Sequence, residues 1–296
     1  MLAATIDPAV QQGVRIQLAD PDLAERSPGE EFAWSARGAG AGEDCVVPFR
    51  AHLPAVFPLF ATRPRYAVRH LLKTASVADA PVPYVYEPAA GTATSGTSYA
   101  TTPEGSFVPR VEHAELTDLT VRVPLPAGLL DEPALLASFV DYRVLVRLSV
   151  VENQTLLHGS DDKAITGLLD LPGARRGGLG DDVYASITEA AAEVEETGGS
   201  CDGIVVHPFT YWELVRAGVL GRLGAAGITV SRTRMIPRGR VLLGDFRAAA
   251  TLLVPGVASL ALRRGAGPDA SDVIEATSRV GLAVHLPQHF LLLTRD

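Results

Sequence analysis

The chain has 296 residues, 47% of them hydrophobic and 20% charged, with a formal net charge of −8. That length can bury a sizeable core, in one elaborate domain or two interleaved ones, and the negative balance argues against a broad nucleic-acid-binding face. Cys45 and Cys201 are the only cysteines and form no CxxC pair, which excludes a disulfide framework or zinc site and fits a reducing cytoplasm.

The start, MLAATIDPAV, lacks the basic-then-apolar pattern of a signal peptide, and no run of about 18 apolar residues is available to span a membrane. Cationic charge is almost all arginine, the only lysines being Lys73 and Lys163. Residues 1–47 are mixed, and the Gly-, Ala-, Ser- and Glu-rich stretch Ser27 to Asp44 predicts a flexible arm. Pro48, Pro54, Pro58 and Pro64 oppose regular helix and predict an extended segment. Alternating apolar residues in 82–88 and 106–116 flank a Gly-, Ser- and Thr-rich piece, Ala89 to Gly105, that cannot bury a core of its own. Together they predict a long two-stranded ribbon that needs a surface to lie on.

LTVRVPLP (119–126) alternates as a strand does. From Asp131 the apolar spacing changes to three and four, through Leu136, Phe139, Leu145, Leu148 and Leu156. Asp131 is the expected cap, Pro133 sits in the first turn and Gly159 ends the helix. This predicts one helix of roughly 25 residues, about 38 Å long. The glycosylation-like Asn153-Gln154-Thr155 falls inside it and is read as chance. After a loop over 160–180 come an acidic helix (181–199), a buried strand (201–208) and a short helix (209–218). Gly218, Gly221, Gly224 and Gly227 predict a loop. Strands follow at 228–232, 241–246, 250–255, 257–262 and 273–287.

Catalytic motifs are missing: no GxxxxGK[ST], HExxH or GxSxG is present. GARRGGLG (173–180) has glycines and arginines but no GxGxxG pattern, and is expected to be a mobile surface loop. His285 and His289 are separated by Pro287, which opposes a helical metal pair. His207 before Pro208 reads as a structural turn. Asp161-Asp162 reads as a solvated pair and Asp181-Asp182 as helix N-terminal charge. No catalytic, cofactor-binding or metal-binding residues are therefore assigned, and no enzyme activity is expected.

The order of elements, with ENQTLLHG…ITGLL, CDGIVVHPFTYWELV, MIPRGRVLLGDFRAAATLL and RVGLAVHLPQHFLLL, resembles tailed-phage major capsid proteins and their cellular relatives, the encapsulins. The resemblance spans about residues 45–293. It implies an α+β fold with an N-terminal arm (1–47), an extended loop (66–116) reaching a neighbouring subunit, and an axial domain (161–264). The peripheral domain would take 48–65, 117–160 and 265–296, with a spine helix over 131–157. It further implies self-assembly into an icosahedral cytoplasmic nanocompartment around a cargo enzyme bearing a docking peptide, with no membrane or specific nucleic-acid partner. The segment Arg216, Gly218, Gly221, Arg222, Gly224 and Gly227 would line a five-fold pore, and four glycines permit positive φ there. The short N-terminal arm, and a ribbon whose nearest lysine, Lys73, lies only at its root, favour an encapsulin over a phage capsid. A soluble oligomeric enzyme is a further alternative.

Overall fold

The computed structural model describes residues 27–39, 43–50, 67–78, 80–88, 109–265 and 271–295. The extended segment expected after Arg50 and the bland middle of the ribbon, Ala89 to Gly105, lie outside the described residues.

The first described element is a helix, α1 (Pro28–Gly38), where a flexible arm was expected. Its cause is local. Ser27 accepts from the Glu30 amide while the Glu30 carboxylate accepts from the Ser27 amide, a reciprocal capping box, and Pro28 holds the first turn. Phe32, Ala33 and Ala36 then face the core. Gly29 lies against the long helix, where a Cβ would run into the Ala137 carbonyl, and its amide donates to the buried Asp141 at 2.9 Å.

The long helix is present, in three parts. α2 (Pro133–Phe139) passes through a π turn over Val140–Val144 into α3 (Leu145–His158), which stops at Gly159. Its first cap is Glu132 without a side-chain bond, not Asp131, which belongs to a preceding 3-10 turn (Leu129–Asp131).

A six-stranded sheet packs on this spine. It runs β1 (Cys45–Arg50), β11 (Val257–Arg263), β12 (Val273–Val284), β10 (Ala250–Val254), β2 (Lys73–Ser76), with β5 (Thr117–Pro124) also on β12. β12 changes partners along its length: β5 pairs with 273–280, and β10 with 281–284. The turn at 67–72 is fastened to α3. Arg69 pairs with Glu152, and Asn153 Oδ1 accepts from the Val68 amide at 3.1 Å, so Asn153 is buried and engaged.

A five-stranded sheet forms the second layer. Its order is β6 (Arg175–Gly178), β13 (Phe290–Thr294), β9 (Arg240–Gly244), β7 (Gly203–Val206), β8 (Thr229–Arg232). Helices α4 (Val183–Glu196), α5 (Pro208–Arg216) and α6 (Leu220–Ala225) build its separate apolar cluster with Ile187, Val194, Leu214 and Leu223. A short helix, α7 (Phe246–Ala249), connects β9 to β10.

Sheet membership does not follow sequence blocks. Residues 161–264, expected as one unit, supply β6–β9 to the second sheet but β10 and β11 to the first, while β13 crosses into the second. The expected ribbon also starts later than residue 66, because 67–76 belongs to the body. Its two strands, β3 (Val82–Tyr86) and β4 (Arg110–Ala114), form a separate antiparallel pair. His285 holds its base: Nδ1 donates to the Val85 carbonyl (3.0 Å), and Tyr84 meets the imidazole edge-on at 5.5 Å.

Candidate functional site at the helix–glycine–helix segment

β7 is buried at every position and delivers the chain to His207. Nδ1 of His207 accepts from the Phe209 amide (3.2 Å), capping α5 beside Pro208. That bond needs the neutral imidazole. Burial, then the nearby Arg238 charge, hold the His207 pKa below its usual value. The inner side of α5 carries Thr210 and Leu214. Its outer side carries Phe209, Trp212 and Val215, the two aromatics 58% and 55% exposed.

Arginines cover these rings without burying them. The Arg238 guanidinium lies 3.7 Å from the Phe209 centroid, and Arg232 lies 4.2 Å from Tyr211 and 5.5 Å from Trp212. His207 stacks on Phe209 at 5.5 Å. This aromatic face was not singled out in the sequence, although the spacing F-x-x-W-x-x-V on one helix is its signal.

The glycine-rich segment follows. Arg216 ends α5. Gly218 (φ 69°) turns the chain and Gly227 (φ 84°) releases it into β8. Between them the expected loop is a helix, α6, which contains Gly221, Arg222 and Gly224. Helix forms despite two glycines because Leu223 is buried and Leu220 packs with it, so tertiary packing outweighs propensity. Arg216, Arg222 and all four glycines are exposed.

The other polar clusters have structural duties. Asp162 accepts from Ser160 Oγ (2.5 Å), the Ala164 amide and Thr117 Oγ1, which together pull its pKa down. Asp182 caps α4 by accepting from the Ala185 amide. Arg175 and Arg176 are not in a mobile loop: they lie in β6, parallel to β13, and Arg175 donates to the Glu193 and Gln288 carbonyls. His285 and His289 are not paired on one helix. His285 braces the hairpin, whereas His289 is buried, with Nδ1 lacking a hydrogen-bond partner among the described residues. Burial pushes the Cys201 thiol up to about 12, leaving it protonated and un-nucleophilic at neutral pH. Among the described residues, no group of three or more His, Cys, Asp or Glu is placed to hold a metal ion. None of their helices is long and apolar enough to cross a membrane.

No family model matches the chain, and no curated protein matches it. Solved structures do. A virus-like particle from Pyrococcus furiosus aligns over 79% of this chain and 93% of its own, at 14% identity and a TM-score of 0.54. The fold is that of capsid proteins. The capsid of the native GTA particle shares it over 79% of this chain and 91% of its own (17% identity, TM-score 0.56). A structure of Mycobacterium phage Bobi does so over 78% and 90% (13% identity, TM-score 0.57). The matches take in more than three-quarters of this chain, and the shared fold agrees with the sequence resemblance to phage capsid proteins and encapsulins.

Proposed function

We propose that this chain is the subunit of a closed icosahedral protein shell, a structural protein and not an enzyme. The carrying observation is coverage: the fold match takes in nearly the whole of a virus-like-particle subunit and more than three-quarters of this chain. Two features of the subunit support it. The β3–β4 pair shows Val85 and Val111, cross-strand neighbours 53% and 66% exposed among the described residues. The α5 face shows a second apolar surface. A monomer gains nothing from either, whereas contacts between copies bury both.

In this proposal the spine, α1 and the six-stranded sheet form the peripheral body. The five-stranded sheet with α4–α6 forms the axial unit, and β3–β4 is the arm laid on a neighbour. The segment Arg216–Gly227 faces a five-fold axis, where repeated arginines favour anionic solutes. The shell is a cytoplasmic container for a cargo enzyme with a docking peptide. Residues 82–114 contain no lysine, and Lys73 lies in β2 within the body, so the arm offers no amine for covalent crosslinking. The competing phage-capsid reading draws on the phage structures among the matches.

Electron microscopy of the purified chain tests the proposal. Round, closed particles of megadalton mass are expected, and a monodisperse monomer or dimer at micromolar concentration would overturn it. The gene neighbourhood separates container from virus: an adjacent enzyme gene with a terminal docking peptide supports the former, and portal and terminase genes the latter.

A further inference from the structure

Charge in the axial unit is divided between two places. Residues 181–196 carry Asp181, Asp182, Glu189, Glu193, Glu195 and Glu196 and no basic residue. Residues 207–240 carry Arg216, Arg222, Arg232, Arg234, Arg238 and Arg240 against a single acid, Glu213. All six carboxylates are exposed, as are Arg216, Arg222, Arg234 and Arg238.

The fold seats the two sets mainly on different strands. α4 packs on β9 and β13 and touches α5 through a small contact, whereas α5 and α6 pack on β8, the edge strand. β13 and β8 are three strand spacings apart, about 14 Å. The ion pair that α4 makes among the described residues runs the other way, from Glu193 to Arg175 of β6 at 3.7 Å. The basic end has no carboxylate partner among the described residues. There the aromatics of α5 sit under Arg232 and Arg238.

We infer that the α5 face, Phe209, Trp212 and Val215 ringed by arginine, docks on the acidic face of α4 in a second copy of this chain. The inference rests on the shell reading and deepens it. Glu189, Glu193 and Glu196 are spaced by four and three and share one stripe of α4. Laid against the α5 face, that stripe meets the arginines while the rings lose contact with water. A two-fold contact of the α5 face with itself would set arginine against arginine. Charge complementarity therefore selects a head-to-tail contact, which closes a ring when repeated by rotation. Aromatic residues and arginine are also the types that dominate interface energies.

The test uses the full chain in sedimentation velocity, with Arg234→Glu/Arg238→Glu, with Glu189→Arg/Glu196→Arg, and with all four changes together. Each pair alone is expected to lower the particle fraction about tenfold, and the combination to restore most of it, because the charges are inverted on both sides. Trp212→Gln, at an exposed position, should weaken assembly as well. It decides the matter if a charge variant misfolds: particles at the normal yield would then overturn the inference. If the wild-type chain forms no particles, the shell reading itself fails. If it does and both charge pairs assemble normally, only this contact fails. Loss of co-purified nucleic acid from the arginine variant, with assembly unchanged, would reassign the face to nucleic acid and overturn the inference too.

Discussion

Arg69 grips Glu152 through two nitrogens, Nε to Oε1 at 2.7 Å and Nη2 to Oε2, with both side chains almost wholly buried. The pair joins the turn that precedes β2 to the middle of α3. Two buried charges that satisfy each other leave a costly remainder when one is removed. Glu152→Gln or Arg69→Met alone should therefore destabilise the subunit by about 3–5 kcal/mol, whereas the double change Arg69→Met/Glu152→Met should cost much less. Thermal unfolding of the two single variants and the double variant measures this. Equal losses in all three would show that the pairing contributes nothing.

Gly29→Ala should loosen α1 specifically. The added methyl group meets the Ala137 carbonyl and the Asp141 carboxyl, and overpacking of this kind costs about 1–3 kcal/mol. Amide exchange should quicken over 28–38 and stay unchanged in β7 and β9. Uniform protection throughout would mean that the helix shifts at no cost.

Val85→Glu/Val111→Glu should give soluble subunits that assemble poorly, since two carboxylates would replace an apolar pair awaiting a neighbour. Sedimentation reads the shift from particles to small species, and a far-UV circular dichroism spectrum matching wild type confirms the subunit fold. Particles at the normal yield would show that this face is not a contact.

Acid should weaken the fold through His289. Burial lowers its pKa below 6.5, the charge of Asp245 opposes the shift, and Arg175 adds to it, with Glu87 on the raising side. The folded chain thus keeps His289 neutral while the unfolded chain takes up a proton near 6.5. Stability is full above that value and declines as pH falls, until the folded imidazole also protonates. His70 and His207 shift in the same direction. His289→Leu should accordingly flatten the slope of melting temperature between about pH 6.5 and 5 without abolishing it. An unchanged slope would assign the acid sensitivity elsewhere.

Arg222→Ala with Arg216→Ala should slow entry of an anionic solute into assembled shells relative to a neutral one of equal size. Equal slowing of both, or none, would remove charge selection from this segment.

Elements whose signals are local were legible in the chain. α4 announces itself by Asp182 before an amphipathic run, β7 by four consecutive buried residues, and the end of the spine by Gly159. α1 was also written locally, in Ser27-Pro28-Gly29-Glu30, but the surrounding Gly, Ala and Ser masked it. β6 could not be read: Arg-Arg-Gly-Gly has no strand pattern, and its conformation depends on pairing with residues 291–294. α6 was hidden by its glycines, since its stability comes from Leu223 entering a core assembled from distant segments. At the candidate site the four glycines were read as one loop, whereas Gly218 and Gly227 alone among them take positive φ. The aromatic face was not read, because only the fold shows which side of α5 stays uncovered.

Two strands made late in synthesis occupy central places. β12 joins β11 and β5 to β10 in one sheet, and β13 joins β6 to β9 in the other. Until residues 273–294 have left the ribosome, the first sheet is three fragments and β6 has no partner. At roughly 5–20 residues per second, that leaves more than ten seconds during which the nascent chain has neither layer complete. The surfaces that would join one copy to another, each resting on one of these sheets or docked against it, do not exist in finished form during that interval. On the proposed shell reading, contacts between copies that need either sheet can therefore form only after β12 and β13 have paired.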